Sequence, residues 1–281
     1  MKNITLILAA SAFSLTSFAK DFDQPVIKKE VREVNGKKVE YMWIDGIKVH
    51  ESDPAKQPQP EVVEPPPYNA KSAKAPEGAV VLFDGSEEAF KKNWSADNGS
   101  PSKWKLVDGA MESVKKAGYI RTKNQFGSCK LHVEFATPKE VKGSGQGRGN
   151  SGVFLMGQYE IQVLDSYENT TYPDGQCGAL YGRAKPLVNA SRKPGDWQTY
   201  DITFHRPKFD DQGNVTQRAK FHVLHNGVVI HDNLELSGGT GWRGPHSISE
   251  YKKHGDKGPI RFQDHGNPVR YRNVWIVPIE D

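Results

Sequence analysis

Across residues 79–278 the chain returns again and again to one pattern, a few residues in which apolar and polar side chains alternate, closed by a turn rich in Gly, Asn, Asp or Pro. A period of two places alternate side chains on opposite faces of a strand, so each run has one face for a core and one for solvent or a ligand. In 131–135, Leu131, Val133 and Phe135 oppose His132 and Glu134; in 199–205, Tyr200, Ile202 and Phe204 oppose Thr199, Asp201, Thr203 and His205. Similar short runs recur at 79–83, 104–106, 111–113, 119–121, 219–225, 228–231, 259–264 and 269–278, and only residues 86–92 read as a short helix. Many short strands joined by such turns predict an all-β antiparallel sandwich or barrel.

Residues 143–181 hold the densest mixture of turn residues, apolar strand and polar side chains. The glycine-rich loop 143–152 contains Arg148 and Asn150 and leads into two strand-like runs, 152–156 and 159–165, separated by Gly157-Gln158. Glycine at the first position of a two-residue connection predicts a type II′ hairpin in which Met156 faces Tyr159. Leu155 then pairs with Glu160, Phe154 with Ile161 and Val153 with Gln162, so that Phe154, Met156, Tyr159, Ile161 and Val163 share the apolar face. Glu160 and Gln162 stand together on the other, a carboxylate and an amide held on a sheet. Asp165 breaks the alternation, so either the strand ends there or a bulge re-aims the aspartate.

Ahead of this region, residues 1–19 read as a secretory signal peptide with cleavage after Ala19, too short for a membrane span, so the expected product is exported to the periplasm or outside the cell. Residues 20–74 read as a separate segment, a small hairpin in 39–50 around Asp45-Gly46 followed by a Pro-rich extended linker in 54–67, with the main domain at 75–281. A formal net charge of +4 from 38 basic and 34 acidic residues, with no basic stripe, argues against a nucleic-acid partner. Cys129 and Cys177 permit one disulfide or two buried thiols, and neither has the neighbours of an activated nucleophile.

Ser151 lies in Gly-Asn-Ser-Gly rather than a nucleophile elbow, and no zinc helix, phosphate loop or dinucleotide fingerprint is present. His222 and His225 are three apart on a strand, hence on opposite faces. The chemistry left is that of carboxylates, histidines and arginines. A functional face would gather His132, Glu134, Glu160, Gln162, Gln263 and His265 over neighbouring strands. Paired-carboxylate glycoside cleavage needs a second acid about 5–10 Å from the first, supplied by Glu134 or Asp165; elimination beside a carbonyl needs a base, a donor to the enolate oxygen and an acid at the leaving group.

The segments 80–85 (VVLFDG), 147–167 (GRGNSGVFLMGQYEIQVLDSY), 172–182 (YPDGQCGALYG), 193–210 (KPGDWQTYDITFHRPKFD) and 262–278 (FQDHGNPVRYRNVWIVP) resemble, in order, the 3-keto-disaccharide hydrolase family. The resemblance implies a concanavalin-like jelly roll of two antiparallel sheets with a carbohydrate site on its concave face. It implies activity on glycosides already oxidised at C3 by a separate sugar dehydrogenase, through C2 deprotonation, loss of the aglycone and hydration. On this chain the matching positions are Glu160, Gln162, Asp165, Arg148, Asn150, Gln263, Asp264 and His265. Glu160 is expected as base or acid with His265 as its partner, Glu134 as a further acid, and Arg148 and Gln263 orienting the sugar beside Asn150, Gln162 and Asp165. The family leaves room for a divalent cation, Ca²⁺ or Mn²⁺, near Asp165 and Glu168, although no ligand loop of diagnostic spacing is present. Two alternatives stand beside this reading, a conventional glycosidase and a non-catalytic carbohydrate-binding module using Trp94, Trp197 or Trp242 as stacking platforms.

Overall fold

The computed structural model describes residues 27–34, 36–44, 47–49, 59–68, 73–241 and 250–280. The expected signal peptide and Trp242 lie outside the described residues. No helix among the described residues is long and apolar enough to cross a membrane.

Two antiparallel sheets form the sandwich. The larger runs in the order Val228–Glu235, Lys220–His225, Gln198–His205, Cys129–Ala136, Arg270–Pro278, Ala110–Glu112, Lys105–Val107, with Val80–Phe83 also pairing with Arg270–Pro278. The smaller runs Tyr159–Val163, Ser151–Leu155, Arg261–Phe262, Ile120–Thr122, Trp94–Ala96. Their facing sides make one core, to which Leu131, Val133, Phe135, Tyr200, Ile202 and Phe204 bring the apolar half of the alternation seen in the sequence. Phe262 of the small sheet stacks on Tyr271 of the large one, with ring centroids 4.2 Å apart at 10°. The Tyr271 hydroxyl donates to Ser151 Oγ at 2.6 Å, and Ser151 Oγ donates onward to the Gln263 carbonyl. The fold is the all-β jelly-roll sandwich expected.

The short helix is Glu87–Asn93, N-capped by Ser86, whose Oγ accepts from the Ala89 N–H, with Phe90 as its buried residue. Cys129 and Cys177 are both buried free thiols, so no disulfide joins them. His222 and His225 do lie on opposite faces, the first half-buried and the second fully buried.

The N-terminal segment departs from the expected hairpin and free linker. Lys37–Ile44 and Ile47–Val49 pair as anticipated, and Ile27–Val34 adds a third strand, which an isolated two-stranded ribbon needs for stability. The Pro-rich stretch is extended, but it is strapped onto the sandwich. Glu61–Val62 pairs in parallel with Val188–Asn189. Gln59 donates to the Thr171 carbonyl, Tyr68 Oη donates to Glu134 at 2.8 Å, and the Ala73 carbonyl accepts from Asn273 and Trp275. Extended Pro-rich backbone leaves its carbonyls unused, and the strap satisfies side-chain donors of the sheet with them.

That strap covers the outer face of the large sheet, where His132 and Glu134 sit. Glu134 is 1 % exposed and accepts from Tyr68, Arg272 Nε and Asn273 Nδ2 at 2.7–2.8 Å. Burial pushes its carboxyl up, but the hydrogen bonds from His132, Asn273, Arg272 and Tyr68 outweigh it and hold the group down at about 2. His132 stacks on Trp275 and binds Asp201 through Nδ1 at 2.6 Å. Burial lowers its pKa, the two acids raise it, and the acids win.

With its pKa depressed from 4.5, Glu134 contributes stability above about pH 4.5 that is lost as pH falls toward 2. Replacing Arg272 leaves this buried charge without its guanidinium. Arg272→Met is therefore expected to cost about 3 kcal/mol at pH 7 and much less at pH 2.5, and Tyr68→Phe about 1 kcal/mol, read by chemical denaturation.

Candidate active site

The outer face of the small sheet presents side chains in rows set by its register. Phe154 pairs with Glu160 on one side and Arg261 on the other, and Arg261 with Arg121, so Glu160, Phe154, Arg261 and Arg121 stand side by side. One step along lie Gln162, Gly152, Gln263 and Tyr119: Gly152 pairs with Gln162, the Gln263 N–H donates to the Gly152 carbonyl, and Gln263 Nε2 donates to Tyr119 Oη at 2.7 Å.

This register corrects the expected hairpin by one residue. Leu155 pairs with Tyr159, Phe154 with Glu160 and Val153 with Ile161. Met156 and Gly157 adopt positive φ, 52° and 68°, and the Gln158 N–H closes the turn on the Leu155 carbonyl at 3.0 Å. The turn thus begins one residue earlier than Gly157 suggests, because Met156 takes the left-handed conformation that usually marks glycine or asparagine. A one-residue slip reverses the whole strand. Val153 and Leu155 enter the core, and Phe154 joins Glu160 outside.

Loops wall this end of the face. Residues 178–181 run beside Tyr159–Val163, with the Gln162 N–H donating to the Ala179 carbonyl and the Tyr181 N–H to the Glu160 carbonyl. Gln146, from the glycine-rich loop, accepts from Gln162 Nε2 at 3.0 Å and donates to the Gly175 carbonyl, while Asn150 Nδ2 donates to the Gln146 backbone. Tyr172 and Tyr181 share a hydrogen bond of 2.6 Å between their hydroxyls. Burial raises both phenols, and the charges of Glu160 and Asp174 raise them further, which places both acids in the same electrostatic neighbourhood.

Glu160 is 5 % exposed, and no described residue hydrogen-bonds its carboxyl. Burial pushes that carboxyl up to about 8, and Arg261 offsets part of the rise. Space for it exists because residue 152 is glycine: a Cβ there would stand 2.5 Å from Glu160 Oε1 and 2.9 Å from the Phe154 ring. Arg261 lies over the rings of Tyr119 and Phe154 at 4.8 and 5.5 Å, paired with Asp97 at 2.6 Å and donating to the Gly157 carbonyl. Among the described residues its Nε is buried without a partner, as are Gln162 Oε1 and Asn150 Oδ1. Unpaired polar atoms gathered around an unpaired carboxyl are what a hydroxyl-rich ligand or ordered water would satisfy.

The structure therefore brings together Glu160, Gln162, Asn150 and Gln263 from the expected set. It does not bring the others. Glu134 lies on the outer face of the opposite sheet, so the expected gathering of His132 and Glu134 with Glu160 does not occur. Arg148 Nε pairs with Asp165 at 2.6 Å, and its Nη atoms donate to the Glu168 and Tyr167 carbonyls, which makes the pair a clamp on its own loop. That arrangement does not fit a cation beside Asp165, since a guanidinium already occupies the carboxylate and Glu168 is exposed. No group of three or more His, Cys, Asp or Glu suited to a metal occurs among the described residues. His265 is exposed, and no hydrogen bond or ring contact joins it to Glu160. Asp264 holds the turn by accepting from the Gly118 and Gly266 N–H groups. Trp94 is a core residue stacked on Phe262, and Trp197 carries the Arg272 guanidinium 3.9 Å over its ring, so neither is an open platform.

The expected set left out Arg261, although it shares one side of the 259–265 run with Gln263 and His265, and it left out Tyr119, Tyr172, Asp174 and Tyr181. Arg261 and Tyr119 were legible in principle, because period two puts 261 beside 263 and 119 beside 121 on the outer face.

The family profile described as "3-keto-alpha-glucoside-1,2-lyase-like domain" matches residues 78–277. The chain belongs to this family. A protein of Parabacteroides distasonis ATCC 8503, provisionally described as a glycosyl hydrolase, is 40% identical with a TM-score of 0.70, over 79% of this chain and 93% of that one. A second protein of that organism, described in the same way, is 18% identical with a TM-score of 0.53 over 76% of this chain and 99% of its own, a likeness of fold alone. No curated protein matches. Family membership and the first of these relatives support a carbohydrate-active enzyme of hydrolase or lyase type.

Because the pKa of Glu160 is raised from 4.5 to about 8, its contribution to stability is fully present below pH 4.5 and is lost as pH rises through 8. Glu160→Gln is accordingly expected to melt close to the native protein at pH 5 and above it at pH 9. Gly152→Ala presses on both the buried Glu160 carboxyl and the Phe154 ring, so it is expected to lower the melting temperature by several degrees and to lose at least about tenfold in turnover.

Proposed function

We propose that the protein is an exported enzyme that cleaves 3-keto-glycosides at the outer face of the small sheet. The observation that carries the reading is the buried, unpartnered carboxyl of Glu160, held near pH 8 beside Arg261 and the tyrosine pair. A ketone at C3 acidifies the hydrogen on C2, and a carboxylate of raised pKa is a stronger base than an ordinary one. Glu160 removes that proton, and the electron pair left at C2 delocalises onto the C3 oxygen.

Arg261, with its positive charge and unpaired Nε, stabilises the enolate oxygen. Expulsion of the C1 substituent then forms the C1–C2 double bond, and the Tyr172–Tyr181 pair supplies the proton to the departing oxygen. Water adds at C1 and gives its proton to the phenolate left by the tyrosine pair, while Glu160 returns a proton to C2, and the sum is hydrolysis. Gln162 and Gln263 orient the ring hydroxyls. The C3 ketone has to be made by a sugar 3-dehydrogenase acting earlier. Export rests on the leader pattern of residues 1–19 and is checked by the N-terminus of the secreted protein.

The test is product analysis with a 3-keto-glucoside and its unoxidised parent, each with and without EDTA. Aglycone is expected from the keto substrate alone, in either condition, and one solvent deuterium at C2 when the reaction is run in D2O. Cleavage of the parent glycoside, or product without deuterium at C2, sinks the elimination route. As a base Glu160 works ionised, so kcat/KM is expected to rise about tenfold per pH unit below 8 and level off above it. A falling limb at that pH would make Glu160 the acid instead. Glu160→Gln is expected to lose at least about 10³-fold in kcat.

A further inference from the structure

The rows on the outer face do not stop at Tyr119. Trp94–Ala96 is the last strand of the small sheet, Ser95 pairs with Arg121, and the Asp97 N–H donates to the Tyr119 carbonyl. Beyond that edge lies a cavity of about 320 Å³ whose lining includes Tyr119, Asp97, Asn98, Ser100 and Lys103. Tyr119 thus belongs to both places. Its hydroxyl accepts from Gln263 and its ring lies beneath Arg261, while the same side chain forms a wall of the cavity.

The separation follows from the sheet. Three strand-to-strand steps lead from Glu160 to Tyr119's strand, and at about 4.8 Å each they span about 14 Å; one more reaches the strand preceding Asp97. Sheet face, Tyr119 and cavity form one continuous run too long for a single ring. The lining mixes apolar surface from Ala96, Pro101 and Ala117 with polar groups of both characters. Asn98 Oδ1 is occupied by the N–H and hydroxyl of Ser100, which fixes the amide and leaves its Nδ2 to donate outward. Lys103 donates, Asp97 accepts, and the exposed part of Tyr119 offers a ring face, a set that suits hydroxyl-rich ligands. A larger cavity of about 590 Å³ lies across the Ser100-Pro101 turn, but Tyr119 does not line it, so nothing joins it to the row of side chains that leads from Glu160.

We propose that the Asp97–Lys103 cavity is a distal subsite for a carbohydrate unit beyond the disaccharide that holds the reacting ring, so that the substrate is an oligosaccharide of three or more units. The inference rests on the placement of the reaction at Glu160. Discrimination by length comes from the edge of the sheet, and chemistry from its other end.

The experiment uses the full mature protein and an Asn98→Ala/Lys103→Ala variant. With 3-keto-glycosides of two, three and four units, the native protein is expected to prefer the longer substrates by at least about tenfold in kcat/KM, and the variant to lose most of that preference. Calorimetry with the unoxidised saccharides of the same lengths reads the subsite without turnover. Affinity that rises with length in the native protein and not in the variant supports the subsite even if no keto substrate is cleaved, an outcome that would overturn the 3-keto reading alone. Affinity and kcat/KM independent of length, or equal length dependence in protein and variant, overturns the subsite.

Discussion

The contact on which this architecture turns is the stack of Phe262 on Tyr271. It ties the short central strand of the small sheet to the long central strand of the large one, and it is flanked by Trp94 on Phe262 and Trp104 on Tyr271. Arg261–Phe262 is only two residues long, so main-chain pairing alone would hold it weakly. The aromatic stack supplies the missing constraint, because a strand pinned at one side chain through the core cannot slip without moving that ring. Arg261 and Gln263 are the neighbours of Phe262 on the opposite face, so their placement beside Phe154, Gly152 and Tyr119 is a consequence of core packing. The site is as rigid as the core beneath it.

That rigidity lets the face keep polar atoms unpaired. A mobile loop would turn a buried Gln162 Oε1 or Arg261 Nε toward water; a sheet whose other side is locked in the core holds them in place at a cost of about 1–3 kcal/mol per unmet group. The walls add to this. Tyr172, Tyr181 and the 178–181 segment remove water from Glu160 and raise its pKa, and Gly152 leaves room for the carboxyl without offering it a donor. Desolvation raises the group, and no hydrogen bond from a described residue pulls it back down.

Much of the fold was legible because period two survives in a single sequence. The alternation in Cys129–Ala136 and Gln198–His205 gave the core faces correctly, and the turn residues marked most strand ends. Among the strands that escaped notice, Trp94–Ala96 and Val188–Asn189 are too short to show a period and follow a helix or a loop without a turn signal. The hairpin error had a different origin. Glycine at 157 was read as the first turn residue, whereas Met156 takes that position at positive φ, a choice the surrounding sheet imposes on an unfavourable residue. Half of the site was recoverable, Glu160 and Gln162 from their strand and Gln263 from its own. The loop-borne part was not, since nothing local says that Tyr172, Asp174 and Tyr181 fold back over Glu160, or that Arg148 turns to Asp165 instead of a ligand. Residues 59–74 show the same limit: a Pro-rich segment has the composition of a spacer, and only its tertiary contacts, such as the Ala73 carbonyl that accepts from Asn273 and Trp275, reveal a strap.

Glu134 and Glu160 show why strand alternation could not separate structure from function. Both are glutamates at outward positions of central hairpin or ladder strands, both are buried, and in sequence each has a polar companion two residues away. Their environments answer burial in opposite ways. Glu134 is met by an arginine, an asparagine and a tyrosine, the last two residues from the sheet and the strap, and its pKa falls to about 2; such a group is ionised at every working pH and fully committed to its neighbours. Glu160 is met by no donor among the described residues, and its pKa rises to about 8, where a proton can be gained or lost at little cost. A carboxylate whose hydrogen bonds are complete has no capacity left for a substrate. The sign of the shift, set by partners that come from distant parts of the chain, ties the first to the scaffold and leaves the second with capacity for a ligand.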